Sequence, residues 1–475
     1  MSQFKSKPRA VTLSTVAVSP KTGSFTHGYA PSPPPPAAAI SSMPSDALPT
    51  NMVASIGFVL YCTYLLSGFA NDWAMRLLGN KAYISTVTLL LLPVAWLLSG
   101  SALRGLQRPI GRWWAVFLVW LLLATPFSVW RGGSAAMLWN YIPRSYLSFF
   151  YICAFVTSVR RCRYLMYVNV AGAVIVLLTC LKFGDTGAGD NENRFMIPGS
   201  LFYSNANDLA LSLLLAITSF IFLFYLPGMK RRILGAAGIL LCTMYALKTG
   251  SRGCMLASLA MFVMIFFFSR NKIGIIIFAL PIIGLAVLML PSSTMRRLLL
   301  FGFNPETIQA QSGSDDAAIA SQLERQLMFK QSLYYTVTHP LLGVGPDEFA
   351  VAAAGDAAKT GIRAAWLGTH NSYTQISSEC GIPAFICYCA VLVICFRSNW
   401  QLFRQSRDNP ALQDVTGLSF CLLLATLVYS VSTFFFHIAY GGALPELAGF
   451  TLALRLAAEP LLTPKPQPAL SWQAR

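Results

Sequence analysis

Charge is scarce in this chain. Aspartate, glutamate, lysine and arginine make up 11% of its 475 residues, where a soluble domain carries about a quarter. A water-soluble globular enzyme is therefore excluded at the outset. Histidine is rarer still, at four residues. The eleven cysteines lack any paired metal-ligand spacing and lie mostly inside apolar runs (Cys62, Cys153, Cys180, Cys242, Cys387, Cys389, Cys395, Cys421). They read as small buried hydrophobes, not as a metal centre or a disulfide framework. Residues 1–50 lack the apolar core that a cleaved signal peptide needs.

What is present is hydrophobic. Apolar residues reach 55% and the mean hydropathy is +0.57, values that indicate an all-α polytopic membrane protein. The formal charge of +17 does not point to nucleic acid, because the basic residues are dealt out in small groups between apolar runs. Residues 1–50 carry Lys5, Lys7, Arg9 and Lys21 and a proline-rich stretch, and are expected to be a disordered cytoplasmic tail.

Stretches long enough to cross a hydrocarbon layer of about 30 Å occur at 52–70, 83–103, 113–130, 141–159, 164–182, 207–226, 232–248, 253–269, 273–290, 372–396, 412–434 and 438–457. About twelve transmembrane helices are thus predicted, nine in residues 51–290 and three in 372–457, with a cytoplasmic C-terminal tail at 458–475. Alternate connections hold Arg104, Arg108 and Arg112; Arg160, Arg161 and Arg163; Lys230, Arg231 and Arg232; Arg270 and Lys272; and Arg397, Arg404 and Arg407. All fall on the side of the basic N-terminal tail, so the positive-inside rule puts both termini in the cytoplasm. The opposite face holds 71–82, 131–140, 183–206, 249–252, the turn near 435–440 and one large loop, 291–371. A connection that long is usually functional. Within it, residues 317–338 read as an amphipathic helix with Ile319, Leu323 and Leu327 on one face. It would either lie at headgroup level over a cavity or simply pack on the bundle.

Four polar constellations lie on that face. The first runs from Asn193 and Arg194 through Gly199 to Asn205-Ala-Asn207-Asp208; Asn207 or Asp208 can cap the next helix, which leaves Arg194 unexplained. The second is Lys248-Thr-Gly-Ser-Arg252-Gly253. An arginine so close to apolar runs either snorkels or meets an anion, and Gly250 and Gly253 let an anion approach the backbone. The third joins Arg325 and Lys330 to the turn His339-Pro-Leu-Leu-Gly343-Val-Gly345, where His339 can equally brace the turn. The fourth is His370-Asn371-Ser-Tyr373 at the mouth of a membrane helix. Guanidinium forks pair with phosphate oxygens, and an imidazole near neutral pH accepts a proton. Together they suit transfer of a sugar from a lipid diphosphate to a hydroxyl. Asp315-Asp316 reads as a solvated loop and not as a metal pair.

The order of these motifs, ending with Glu379-Cys-Gly381, resembles the O-antigen ligase/polymerase superfamily of bacterial envelope glycosyltransferases over roughly residues 55–455. One departure is Ala206, where the family has proline between two asparagines. The resemblance implies a C-type glycosyltransferase fold in the bacterial inner membrane with its active face in the periplasm. It implies a polyprenyl-diphosphate-linked glycan donor, a glycan or lipid A–core acceptor, and no cofactor or metal. Matched position by position, Arg194 and Arg252 would hold the diphosphate and His370 would activate the acceptor. Arg325, His339, Asn371, Tyr373 and Asn207 would contact substrate. The acceptor stays open between ligase, polymerase and protein O-oligosaccharyltransferase. A transporter or flippase, the rival class, would show two similar halves and polar groups near mid-membrane, which the sequence does not.

Overall fold

Short polar caps set the starts of five of the described α-helices, those beginning at Met52, Val159, Ala206, Arg252 and Ser372. The computed structural model describes residues 51–79, 83–186, 194–269, 271–288, 316–359, 361 and 366–462. The tail 1–50, Asn193, Arg270, all of 289–315 (Asp315 included) and residues 463–475 lie outside the described residues. In chain order the helices are α1 (Met52–Phe69), α2 (Asn71–Leu78), α3 (Ile84–Leu98), α4 (Pro109–Ala124), α5 (Arg131–Tyr141), α6 (Ser148–Phe155), α7 (Val159–Phe183) and α8 (Ala206–Phe222). They continue as α9 (Met229–Lys248), α10 (Arg252–Phe268), α11 (Lys272–Leu288), α12 (Asp316–Thr338), α13 (Phe349–Lys359), α14 (Ser372–Ser406), α15 (Gln413–Ser432) and α16 (Ala443–Leu462). Among the described residues there is no strand, only an isolated bridge between Asp185 and Met196.

The all-helical expectation holds. Among the described residues six helical segments are long and apolar enough to cross a membrane: Met52–Phe69, Pro109–Phe127, Val159–Phe183, Ala206–Tyr225, Ser372–Ser406 and Pro410–Ser432. Ile84–Leu98, Arg252–Phe268 and Lys272–Pro281 are shorter apolar helices. The stretch 141–159 is not one span: α5 ends in it, a π turn follows at Ile142–Tyr146 around Pro143, and α6 stops at Phe155. Proline removes a backbone donor and widens the helix there. The last apolar helix starts at Ala443, five residues later than expected, because residues 434–442 form a loop.

Local chemistry explains the boundaries. Asn51 caps α1 by accepting from Val53 N, Ser158 caps α7 by accepting from Arg161 N, and Pro109 occupies the first turn of α4. Asn205, not Asn207 or Asp208, caps α8, accepting at 2.9 Å from Asn207 N. The core is built around α15, buried along nearly its whole length and packed against α8, α10, α14 and α16. A helix apolar on all sides belongs there. All eleven cysteines are free, and nine are buried.

The basic connections gather at one end of the bundle. Arg161 donates to Phe155 O (2.7 Å) and Ser55 Oγ (2.6 Å), Arg163 pairs with Asp414 (2.9 Å), Arg104 donates to Cys153 O (3.2 Å), and Arg108 pairs with Glu459. These contacts join the starts of α1, α4, α7 and α15 to the end of α16. By helix direction, the starts of α8, α10, α14 and α16 and the ends of α7, α9 and α15 lie at the opposite end.

Candidate functional site

At that opposite end α14 is broken. Gly381 takes φ 82°, ψ 173° inside it, and Pro383 follows. A break leaves carbonyls and amides without helical partners, and the turn after α12 supplies them. Val344 N donates to Ser378 O (2.9 Å), Gly345 N to Glu379 O (2.8 Å), and Ile382 N to Pro340 O (2.8 Å). Trp120 Nε1 of α4 bridges Leu341 O (3.0 Å) and Cys380 O (3.1 Å). Gly343 and Gly381 have positive φ, and a Cβ on either would collide with the facing backbone, Glu379 and Leu341 respectively. The His-Pro-Leu-Leu-Gly-Val-Gly turn is therefore a splint for a discontinuous helix. The Glu379 carboxylate completes it, accepting from Tyr440 Oη (2.7 Å) and Asp347 N (3.1 Å).

The splint fixes α12. Met328, Tyr335, Val344 and Phe349 form a small separate core, and Thr336 Oγ1 meets Ser377 Oγ of α14 at 2.8 Å. The expected helix at 317–338 is present, and the face that carries Leu323 and Leu327 is not the one that packs on the bundle. Met328, Ser332 and Tyr335 are buried, whereas Leu323 and Leu327 are exposed. Turning this way puts Arg325 within electrostatic reach of Arg252 and His370.

Arg194 is buried at the start of the segment leading to α8. Its Nε donates to Thr249 O (2.9 Å) and its Nη2 to Asn207 Oδ1 (2.7 Å), while Phe195 N donates to Lys248 O (3.2 Å). The first two polar constellations are thus one unit. In it Gly250, at φ 60°, turns the chain from α9 into α10, Ser251 caps α10 by accepting from Cys254 N, and Arg252 is the first residue of α10. Gly253 packs on Phe435 of the 434–442 loop, so α10 begins against the loop that carries His437.

His370 stands at φ 52°, a left-handed backbone that costs a side-chain-bearing residue roughly 1–3 kcal/mol. Such strain persists only where the surroundings impose it, and here they do. Asn371 Oδ1 caps α14 through Tyr373 N (2.9 Å) and Thr374 N (3.1 Å), and Ser372 N donates to Thr433 O (2.8 Å). The His370 ring meets His437 edge to face, with centroids 5.1 Å apart at 81°. Burial first, then His437, then Arg325 push the His370 pKa down to about 4, so its imidazole is neutral at physiological pH. Burial, then the Arg252 charge, also lowers Arg325 below its ordinary value. Two guanidinium groups that repel each other favour an anion between them.

The other expected contact residues have structural work. Asn371 is the α14 cap, and Tyr373 donates to Ser430 O (2.9 Å) and packs on Phe434 at 4.4 Å. Asn207 orients Arg194. His339 is exposed, its Nδ1 2.9 Å from Thr338 Oγ1 and its ring against Tyr335. These two side-chain partners lie on α12, and neither belongs to the group of Arg252, Arg325 and His370. His437 was missed by the sequence reading. The available signal was a titratable residue in the turn between the last two apolar runs. Among the described residues no three His, Cys, Asp or Glu side chains come together in a way that could hold a metal ion.

The assembled groups offer guanidinium groups to a polyanion and a neutral imidazole to a hydroxyl, at one end of an apolar bundle. Residues 236–389, which span Arg252, Arg325 and His370, match the family Wzy_C, described as O-Antigen ligase. No curated protein matches the chain.

Proposed function

We propose, from the match of residues 236–389 to the family described as O-Antigen ligase, that this chain is a member of the O-antigen ligase/polymerase superfamily and an inverting membrane glycosyltransferase that uses a polyprenyl-diphosphate-linked glycan and no nucleotide. The observation that carries this reading is the grouping of Arg252, Arg325 and a neutral His370 at the end of the bundle away from the basic loops. Arg252 and Arg325 hold the diphosphate, and Arg194 sets the turn that presents Arg252 and adds positive potential. The acceptor oxygen attacks the anomeric carbon as the carbon–oxygen bond to the diphosphate breaks, and the hydroxyl proton passes to His370. Diphosphate is a competent leaving group, so positioning and charge stabilisation supply most of the catalysis. The inner membrane, cytoplasmic termini and a periplasmic site complete the proposal, supported by the basic residues gathered at the other end.

The acceptor is proposed to be lipid A–core or a growing lipid-linked polysaccharide. Reconstitution of the purified protein with a defined lipid-linked repeat and each acceptor in turn tests this. Transfer to lipid A–core makes it a ligase, chain growth a polymerase, and transfer to a serine or threonine peptide a protein glycosyltransferase. No transfer to any of the three defeats the reading.

A further inference from the structure

His437 belongs to none of the motifs, yet its ring meets that of His370. The loop that bears it is stitched to the start of α14. Ser372 Oγ donates to Phe436 O (2.7 Å) and accepts from Ile438 N (2.9 Å), and Ala439 N donates to Gln375 Oε1 (3.2 Å). With the bond from Ser372 N to Thr433 O, four hydrogen bonds fix residues 433–439 against residues 372–375. From the other side Gly368 lies so close that a Cβ there would stand 2.8 Å from the His437 ring. His437 is therefore clamped between the segment that ends in His370 and the loop before α16, with its ring edge on the His370 ring.

We propose that His437 is a positioning residue: it holds the strained His370 ring at the reaction centre and, as a second base that takes a proton first, keeps His370 in its uncharged form. The inference rests on the reading of His370 as proton acceptor. Two imidazoles in contact cannot both be protonated cheaply, so the proton goes to the one water reaches more easily. Burial lowers the pKa of both rings, but His437 is the more exposed of the two, and His370 is pushed down further by His437 and Arg325. The charged groups that act on His370 are His437 from the 434–442 loop and Arg325 from α12, and Arg325 in turn feels the charge of Arg252. All are cationic or become so on acidification, and all act in the same direction.

The test measures the protonation of His370 without any transfer reaction. Full-length protein in lipid nanodiscs is treated with diethyl pyrocarbonate, which modifies neutral imidazole, from pH 4 to 8, and the rate at His370 is read by peptide mass spectrometry. In His437→Phe, which keeps an aromatic edge against His370, the midpoint of the rate profile moves up by about one pH unit. His437→Gln, smaller and polar, shifts it in the same direction and serves if the phenylalanine variant does not fold. A midpoint equal to that of the wild type in both variants overturns the assignment. A purely structural role for His437 predicts that equality. If His370→Ala retained full transfer activity, the base assignment would fail, whereas the His437 assignment stands or falls on the labelling midpoint.

Discussion

Arg194 reaches across to the Thr249 carbonyl, 2.9 Å from its Nε, and so couples the approach to α8 with the turn that begins α10. Two segments 55 residues apart in the sequence thereby become one wall of the site. Arg194 is 6% exposed and also bonded to Asn207, which makes it a brace as well as a charge. Arg252, half-buried at the first position of α10, is better placed to meet a ligand.

The two arginines should differ on substitution. Arg252→Lys keeps the charge but loses the fork, and transfer is expected to fall by about a hundredfold, the scale of losing one transition-state donor. Arg194→Ala should abolish transfer and also lower the unfolding temperature, because it strips partners from Asn207 Oδ1 and Thr249 O. Initial rates and thermal unfolding in detergent separate these outcomes.

His370 should show its environment in the pH profile. A neutral imidazole with its pKa pushed down to about 4 by burial, His437 and Arg325 remains a competent base below pH 6. The acid limb of kcat/KM is expected well under the ordinary histidine value of about 6.5. His370→Ala should cost transfer while leaving binding of the lipid-linked donor intact. Parallel loss of donor binding would assign the ring to the diphosphate instead.

The splint over the broken helix gives a stability prediction. Gly381→Ala forces a side chain into positive φ and against Leu341 O, which costs more than about 1 kcal/mol. Unfolding should begin earlier in this variant, and in Gly343→Ala for the same reason. Gly355→Ala on α13, where a Cβ meets nothing within 4 Å, is the control expected to be harmless.

Glu348 supplies a pH dependence of stability. It is 2% exposed, its Oε2 has no hydrogen-bond partner, and burial followed by Asp347 pushes its carboxyl up to about 7. A carboxyl whose folded pKa exceeds its unfolded value is held protonated by folding. Stability is therefore lost as pH rises from about 4.5 to about 7. Glu348→Gln should remove that part of the decline when unfolding temperatures at pH 5 and pH 8 are compared. An unchanged decline would mean that the group is not buried as described.

Much of this architecture was legible in the sequence, for identifiable reasons. Apolar runs and basic connections marked the helices and the two ends, because burial and charge segregation are properties of composition. The residues at 317–338 announced a helix by spacing, but spacing alone did not say which face turns inward. Leu323 and Leu327 stay exposed while Met328 and Tyr335 pack, since the partner surface is the splint, made by residues beyond the helix. The break at Gly381 was readable in Gly-Ile-Pro, yet the surrounding hydrophobicity favoured a continuous span. Asn371 and Tyr373 looked like ligand contacts because capping and binding draw on the same polar side chains. His437 carried no motif, and only the hydrogen bonds of Ser372 and Gln375 bring it to His370.

The central claim is that guanidinium groups at the site end grip the diphosphate of a lipid-linked glycan. It is tested most directly by comparing wild-type protein and Arg252→Ala in proteoliposomes supplied with that donor, an acceptor and no nucleotide. The account predicts steady transfer by the wild type and none by the variant. Equal rates for the two proteins, or transfer by the wild type only when a nucleotide sugar is added, would contradict it.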